Sequence, residues 1–155
     1  MAQVRYIVDN VDDAVAFYVS KLGFELEQQF GPAIALLVHG DLTLLVSGPV
    51  ASASRPMPDG TVPSAGGGWS KFVLTLDDLE SVVTKLKGEG VEFRNEIVEN
   101  DGRNQILCQD PSGNLVELFQ ASKKYLSAPA WIPSVLLTLD PSFESHFPLN
   151  PVLPY

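Results

Sequence analysis

The sequence is poor in basic residues. It carries 10 lysines and arginines against 19 aspartates and glutamates, which gives a formal net charge of -9 over 155 residues. A protein that binds nucleic acid needs clustered lysine and arginine to neutralise phosphates, so this balance argues against such a partner. An excess of acidic side chains either serves solubility alone or favours a small ligand that is cationic or neutral.

Long apolar runs and cysteine pairs are also missing. No apolar segment reaches the length of about 18 residues that a membrane helix needs. Cys108 is the single cysteine, so no disulfide can form within the chain. The first residues lack the charged-then-apolar layout of a secretory signal. These absences predict a cytoplasmic protein that contacts neither membrane nor nucleic acid.

Two segments of the sequence follow the same order of predicted elements. In the first, a strand over residues 4–8 precedes a helix that Asn10 caps and Gly23 ends. Three strands follow, over residues 24–29, 33–39 and 42–47. In the second, a strand over 71–76 precedes a helix opened by Asp77 and Asp78, and the strands that follow cover 91–98, 105–109 and 115–120. An internal repeat of this size indicates a duplicated module.

The composition changes between the two segments. Residues 47–68 carry four prolines and end in three consecutive glycines. We therefore predict an α+β fold with a first module over residues 1–48, a loop over 49–70, a second module over 71–120 and a tail over 121–155. The loop is either a lid over a site or a plain connection. The apolar, proline-rich tail is expected to pack on the domain or on a partner subunit.

The duplicated layout resembles the vicinal oxygen chelate superfamily, which is the glyoxalase, bleomycin-resistance and extradiol-dioxygenase group. The resemblance rests on Asp-Asp-Leu at the second helix, Gly-Val-Glu-Phe after it, and Asp-Pro-Ser-Gly-Asn-Leu-Val-Glu-Leu-Phe at the end. It implies that two βαβββ modules form a cupped mixed sheet, and that a homodimer forms, because similar proteins pair modules across subunits. It implies no single activity, since one fold supports many functions.

In the enzymes of this superfamily a divalent metal sits in the cup, held by residues from the first and last strands of the modules. The matching positions here are Gln3, Leu44, Lys71 and Glu117. Only Glu117 offers a strong metal-binding group, because Lys71 is cationic and Leu44 has no donor atom. Neither His39 nor His146 matches a ligand position. We therefore expect neither a metal nor another cofactor.

A carboxylate in an apolar cup is unfavourable without a partner, and strand alternation places Lys71 beside Glu117. We predict that the Lys71 ammonium replaces the metal as the local positive charge; the alternative is that both side chains reach water. A Schiff-base role for Lys71 is disfavoured, because a neighbouring carboxylate raises the pKa of an amine. The predicted ligand-binding residues are Gln3, Arg5, Leu44, Lys71, Val73, Glu117 and Phe119. Arg94 and Arg103 are further polar candidates for the cavity lining.

These observations favour a metal-independent protein that binds and sequesters a small molecule, as in antibiotic resistance of the bleomycin-resistance type. An apolar groove with a few polar anchors suffices for that role, and no catalytic residue is assigned. The alternative is a metal-dependent glyoxalase-like lyase or dioxygenase whose metal site is not recognised. A third reading is a structural or regulatory protein that uses the tail as its contact surface.

Overall fold

A computed structural model of the chain describes residues 3–66, 68–100 and 102–121. The first module consists of strand β1 (Val4–Ile7), helix α1 (Val11–Leu22), and strands β2 (Glu25–Phe30), β3 (Ile34–His39) and β4 (Leu42–Ser47). The second consists of strand β5 (Lys71–Thr75), helix α2 (Leu79–Gly88), and strands β6 (Val98–Asn100), β7 (Arg103–Gln109) and β8 (Leu115–Ala121). A single turn of 3-10 helix, Ser52–Ser54, lies in the loop between them.

Each module forms its own four-stranded mixed sheet. The strand order is β1-β4-β3-β2 in the first sheet and β5-β8-β7-β6 in the second. In both sheets the strand that precedes the helix pairs in parallel with the last strand of the module. The two βαβββ modules and the α+β fold class predicted from the sequence are thereby confirmed.

The helices begin and end where the capping residues predict. The side chain of Asn10 accepts hydrogen bonds from the backbone N–H groups of Asp12 and Asp13, at 2.8 and 3.2 Å. Gly23 ends α1 in the left-handed conformation, with φ of 73°. At α2 the side chain of Asp78 accepts from the backbone N–H of Ser81 at 3.0 Å. These caps satisfy donors that a helix end leaves unpaired.

The strand predicted over residues 91–98 is wrong in extent. In the structure only Phe93 forms an isolated bridge, to Cys108, and regular pairing begins at Val98. The cause is the side chain of Asn95, whose Oδ1 accepts the backbone N–H of Leu107 at 2.9 Å. A side-chain acceptor thus takes a donor that a continuous ladder would use, which interrupts the strand.

One hydrophobic core serves both modules. Phe72 on β5 packs against Tyr6 on β1, Tyr18 on α1 and Phe24, with ring centroids 5.7, 6.3 and 5.9 Å apart. Side chains from both helices and from one side of each sheet belong to this core. We call the other side of each sheet, whose residues lie outside this cluster although Leu45 and Leu115 are buried there, the outer face.

The turn before β8 joins the modules through a buried carboxylate. Asp110 is 4% exposed. Its Oδ1 accepts the backbone N–H groups of Ser112 and Asn114, both at 2.9 Å, and its Oδ2 accepts the Tyr18 hydroxyl at 3.0 Å. Asn114 donates from Nδ2 to Asp110 Oδ2 and to the carbonyl of Ile7, both at 2.9 Å. The Asp-Pro-Ser-Gly-Asn sequence therefore links its own turn to α1 and β1.

The loop over residues 49–70 is fastened at its ends. The backbone N–H of Gly66 donates to Asn114 Oδ1 at 3.2 Å, and a Cβ on Gly66 would lie 2.5 Å from the carbonyl oxygen of Ser112. At Gly48 a Cβ would lie 2.3 Å from the carbonyl oxygen of Pro32. Both glycines permit a close approach of backbone to backbone that a larger residue would prevent.

The chain divides by its internal contacts after Gln120. The predicted tail, 121–155, lies outside the described residues apart from Ala121, so its expected packing stays a prediction. Among the described residues no helix is both long and apolar enough to cross a membrane.

The Cys108 thiol should resist chemical labelling in the native protein. It is fully buried in the core, and burial raises its pKa from 9.0 to about 12. Because the thiolate is the reactive form, we expect no reaction with a thiol-specific disulfide reagent at pH 8, and one equivalent of reaction in urea. The pKa of the Cys108 thiol is higher in the native state than in the unfolded state. The contribution of this group to the unfolding free energy is therefore fully present below about pH 9 and is lost as the pH rises toward 12. Native labelling at the rate of a free thiol would contradict this.

Candidate functional site

The predicted pairing of Lys71 and Glu117 is confirmed. The Lys71 ammonium lies 3.5 Å from Glu117 Oε2, and both side chains point from the outer face of the second sheet. The Glu117 side chain is 13% exposed and that of Lys71 is 32% exposed. The carboxylate is thus largely removed from water and has a cation beside it, as burial of a charge requires.

The other predicted residues of the second module share this outer face. Val73 lies opposite Glu117 in the parallel pair, and Thr75 lies opposite Phe119. Residues that face each other on neighbouring strands project to the same side of a sheet. Val73 is 50% exposed although it is apolar. An exposed aliphatic side chain beside a partly exposed ion pair gives this face a mixed apolar and charged character.

In the first module, Gln3 and Arg5 lie on the outer-face side of their strand. Tyr6 and Val8 belong to the core, so the residues that alternate with them point away from it. The Arg5 guanidinium donates from Nη1 to Ser47 Oγ at 3.3 Å.

The placement of Leu44 on the same face is wrong. Leu44 is fully buried within the core and lies opposite Val4, whereas Arg5 lies opposite Leu45. Arg5 and Val73 each stand six residues before the first residue of the following helix. The partner of Val73 is Glu117, so Leu45 occupies the position in the first module that corresponds to Glu117.

The register differs because the preceding turns differ. The two-residue turn between β3 and β4 leaves His39 opposite Leu42. Before β8, a longer turn is closed by the hydrogen bond from the backbone N–H of Asp110 to the carbonyl of Asn114, at 2.9 Å. Aligning Gly-Asp-Leu before β4 with Gly-Asn-Leu before β8 therefore matches Leu44 to Glu117, which is wrong by one residue. A shift of one residue moves a side chain to the opposite face of its sheet.

The residues at the family's ligand positions do not fit a divalent metal. With the register corrected they are Gln3, Leu45, Lys71 and Glu117. Leu45 has no donor, and the Lys71 ammonium already lies against the carboxylate. Zinc and related ions require three or four nitrogen, oxygen or sulfur ligands. In the described part of the chain no three histidine, cysteine, aspartate or glutamate side chains are grouped so as to hold an ion.

A second cation lies on the outer face of the second sheet. When the Gln109 amide is oriented with its oxygen toward Arg94, the orientation that satisfies both groups, this oxygen accepts from Arg94 Nε at 2.8 Å and from Nη2 at 3.0 Å. The guanidinium also lies 5.7 Å from the centre of the Trp69 ring. Arg94 is a polar candidate for the cavity lining in the sequence, but the sequence gives no sign of these two partners, because Trp69 and Gln109 come from distant parts of the chain.

Three open cavities are lined by described residues, and the first of them borders the outer face at Gln109. One of about 340 Å³ is lined by Phe17, Lys21, Glu89 and Gln109 among others, and one of about 290 Å³ lies between the two helices. A third, of about 240 Å³, lies under the loop near Asp9. We place more weight on the outer face than on these cavities, because it gathers paired charges and exposed apolar groups.

Comparison with known proteins identifies the family. The family model described as Glyoxalase/Bleomycin resistance protein/Dioxygenase superfamily matches residues 1–118. An uncharacterized protein of Shewanella frigidimarina is 27% identical over 128 residues, which covers 80% of this chain and 95% of that protein.

Solved structures share the fold. Lactoylglutathione lyase from Agrobacterium tumefaciens superposes with a TM-score of 0.62 at 22% identity, covering 83% of this chain and 96% of that one. A genomically encoded fosfomycin resistance protein from Listeria monocytogenes gives 0.60 at 13% identity, covering 80% and 94%. On the extent of the family match, the chain belongs to the glyoxalase/bleomycin resistance protein/dioxygenase superfamily.

Proposed function

We propose that this protein binds and sequesters a small molecule without a metal ion, on the outer face of the second sheet. The observation that carries the proposal is the ion pair of Lys71 and Glu117, whose ammonium would supply the positive charge that a metal supplies in the enzymes of the superfamily. The apolar side chains of Val73 and Phe119 flank the pair and supply area for a ligand to bury. Among the described residues no set of ligands supports catalysis through a bound metal.

We propose further that two copies complete the site. The core takes its residues from one side of each sheet, so the outer faces lie on the opposite sides of the two sheets. We infer that a cup lined by two outer faces takes one face from each of two copies, as the family resemblance implies. The exposed Phe30 lies on the outer face of the first sheet, opposite Ile34, and offers an apolar contact. Sedimentation velocity of the purified chain checks the dimer, and a monomer at high protein concentration would contradict it.

The binding proposal is tested by a thermal-shift screen of small molecules on the full chain and on Val73→Trp. A ligand stabilises the fold in proportion to its affinity and concentration, so a hit raises the melting temperature of the native protein. The large ring on an exposed residue leaves the fold intact and covers the ion pair, so we expect the shift to vanish. Val62→Trp, which changes an equally exposed valine in the loop, is the control and keeps the shift.

Two results would refute the binding proposal. One is stoichiometric zinc, nickel, manganese or iron in elemental analysis of the purified protein, which would favour a metal-dependent lyase or dioxygenase. The other is a ligand-induced shift of equal size in the native protein and in Val73→Trp. Antibiotic resistance and a cytoplasmic location remain part of the proposal; growth assays with candidate antibiotics and fractionation of cells check them.

A further inference from the structure

We propose that the ligand of this site carries a negative charge next to an aromatic ring, and that Arg94, Gln109 and Trp69 select it. The inference rests on the proposed function and names the class of molecule that the outer face prefers. It reverses the preference for a cationic or neutral ligand that the net charge of -9 suggests.

The charge of Arg94 is held in place but not neutralised. Its Nε and Nη2 both donate to the Gln109 side-chain oxygen, which is a neutral acceptor. The ion pairs between described residues are Lys21–Glu89, Lys71–Glu117 and Lys87–Glu96, so within this part of the chain Arg94 has no carboxylate partner. A guanidinium fixed by a neutral amide keeps its remaining N–H groups oriented for an incoming anion at little entropic cost.

The acidic residues near Arg94 do not cancel this charge. Glu117 lies against Lys71, so the pair contributes no net charge to the face. Glu92, two residues before Arg94 along the chain, is exposed and forms no ion pair with a described residue. Glu92 and Arg94 are both exposed, so water and salt screen the field between them, whereas a bound ligand would contact the guanidinium directly. The net negative charge of the chain therefore does not predict the charge of the ligand that this part of the outer face prefers.

The Trp69 ring supplies the aromatic half of the subsite. It is 73% exposed, the highest exposure among the large apolar side chains described, and it lies beside the Arg94 guanidinium. A cation over an indole ring is attracted to it, which holds the ring in place and leaves its area open to a second flat group. A ligand with a carboxylate on an aromatic ring would contact both side chains at once.

The test measures how three probes of one shape and different charge bind to the full chain. The probes are 2-naphthoate, 2-naphthamide and 2-naphthylmethylammonium, and isothermal titration calorimetry gives their dissociation constants. We expect the anion to bind about threefold more tightly than the amide, because a hydrogen bond from a guanidinium to a carboxylate is stronger than one to a neutral amide, although water reaches the exposed Arg94. Arg94→Met should abolish the difference, and Trp69→Leu should weaken all three probes alike.

Two further variants separate position from charge. Gln109→Met keeps the guanidinium but removes its support, so we expect most of the preference for the anion to disappear. Arg55→Met removes one positive charge from the loop and should leave the preference unchanged. The inference is overturned if Arg94→Met keeps the preference, or if the cation binds best. If Val73→Trp still blocks probe binding in that case, the proposed binding face stands. If no probe binds the native protein, this inference fails, and the thermal-shift screen decides the binding proposal separately.

Discussion

Replacing Asp110 by alanine should lower the unfolding free energy by about 3–4 kcal/mol, because four hydrogen bonds end on its buried carboxylate. The Tyr18 hydroxyl and two backbone N–H groups would be left without acceptors inside the fold, and the Asn114 amide would keep only the carbonyl of Ile7. Urea denaturation followed by circular dichroism measures the change. Such a loss is a large part of the stability of a domain of this size.

Asp59 provides a matched control for Asp110. Both aspartates accept the backbone N–H group two residues ahead at 2.9 Å, Asp59 from Thr61 and Asp110 from Ser112. Asp59 lies in an exposed loop, so Asp59→Ala should cost roughly 0.5 kcal/mol or less. Tyr18→Phe removes one bond and should cost about 1 kcal/mol. Similar losses for Asp110→Ala and Asp59→Ala would show that the buried network does not hold the modules together.

Phe72→Ala should lower the unfolding free energy by about 3–5 kcal/mol, as is typical when a buried phenylalanine is truncated. Phe72 lies on the second module, yet three of its ring contacts, with Tyr6, Tyr18 and Phe24, come from the first. The cavity that alanine leaves would therefore open between the modules. Equilibrium denaturation measures the loss, and two separate transitions instead of one would show that the modules had become uncoupled.

The neighbouring residue provides the control for Phe72. Val73 lies on the opposite side of the same strand and is half exposed, so Val73→Ala should change the unfolding free energy by less than about 0.5 kcal/mol. Equal losses from Phe72→Ala and Val73→Ala would contradict the division of this strand into a core side and an outer face.

Most of the fold could be predicted from local signals. Asn10, Gly23 and Asp78 mark helix ends through hydrogen bonds and backbone angles that depend only on nearby residues. The repeat then supplies the topology, because each module reproduces the other. The strand over residues 91–98 could not be placed correctly, since its interruption depends on a bond between Asn95 and the distant Leu107.

The candidate site could be predicted only in part. Alternation along β5 and β8 places Lys71 and Glu117 on one face, and their distance of 3.5 Å agrees. The same reasoning failed at Leu44, because the register of a strand depends on its pairing and not on the letters of the preceding turn. The contact of Arg94 with Trp69 joins residues on different elements, so no local pattern in the sequence reveals it.

The one-residue offset between the last strands of the two modules has a practical meaning for protein engineering. Anyone who wished to install a carboxylate in the first module to mirror Glu117 would need to change Leu45. The alignment of letters would direct that change to Leu44 instead, where a charge would be forced among aliphatic side chains and the protein would fail to fold. Two modules of one chain can thus share a fold although residues aligned by sequence project from opposite faces of their strands.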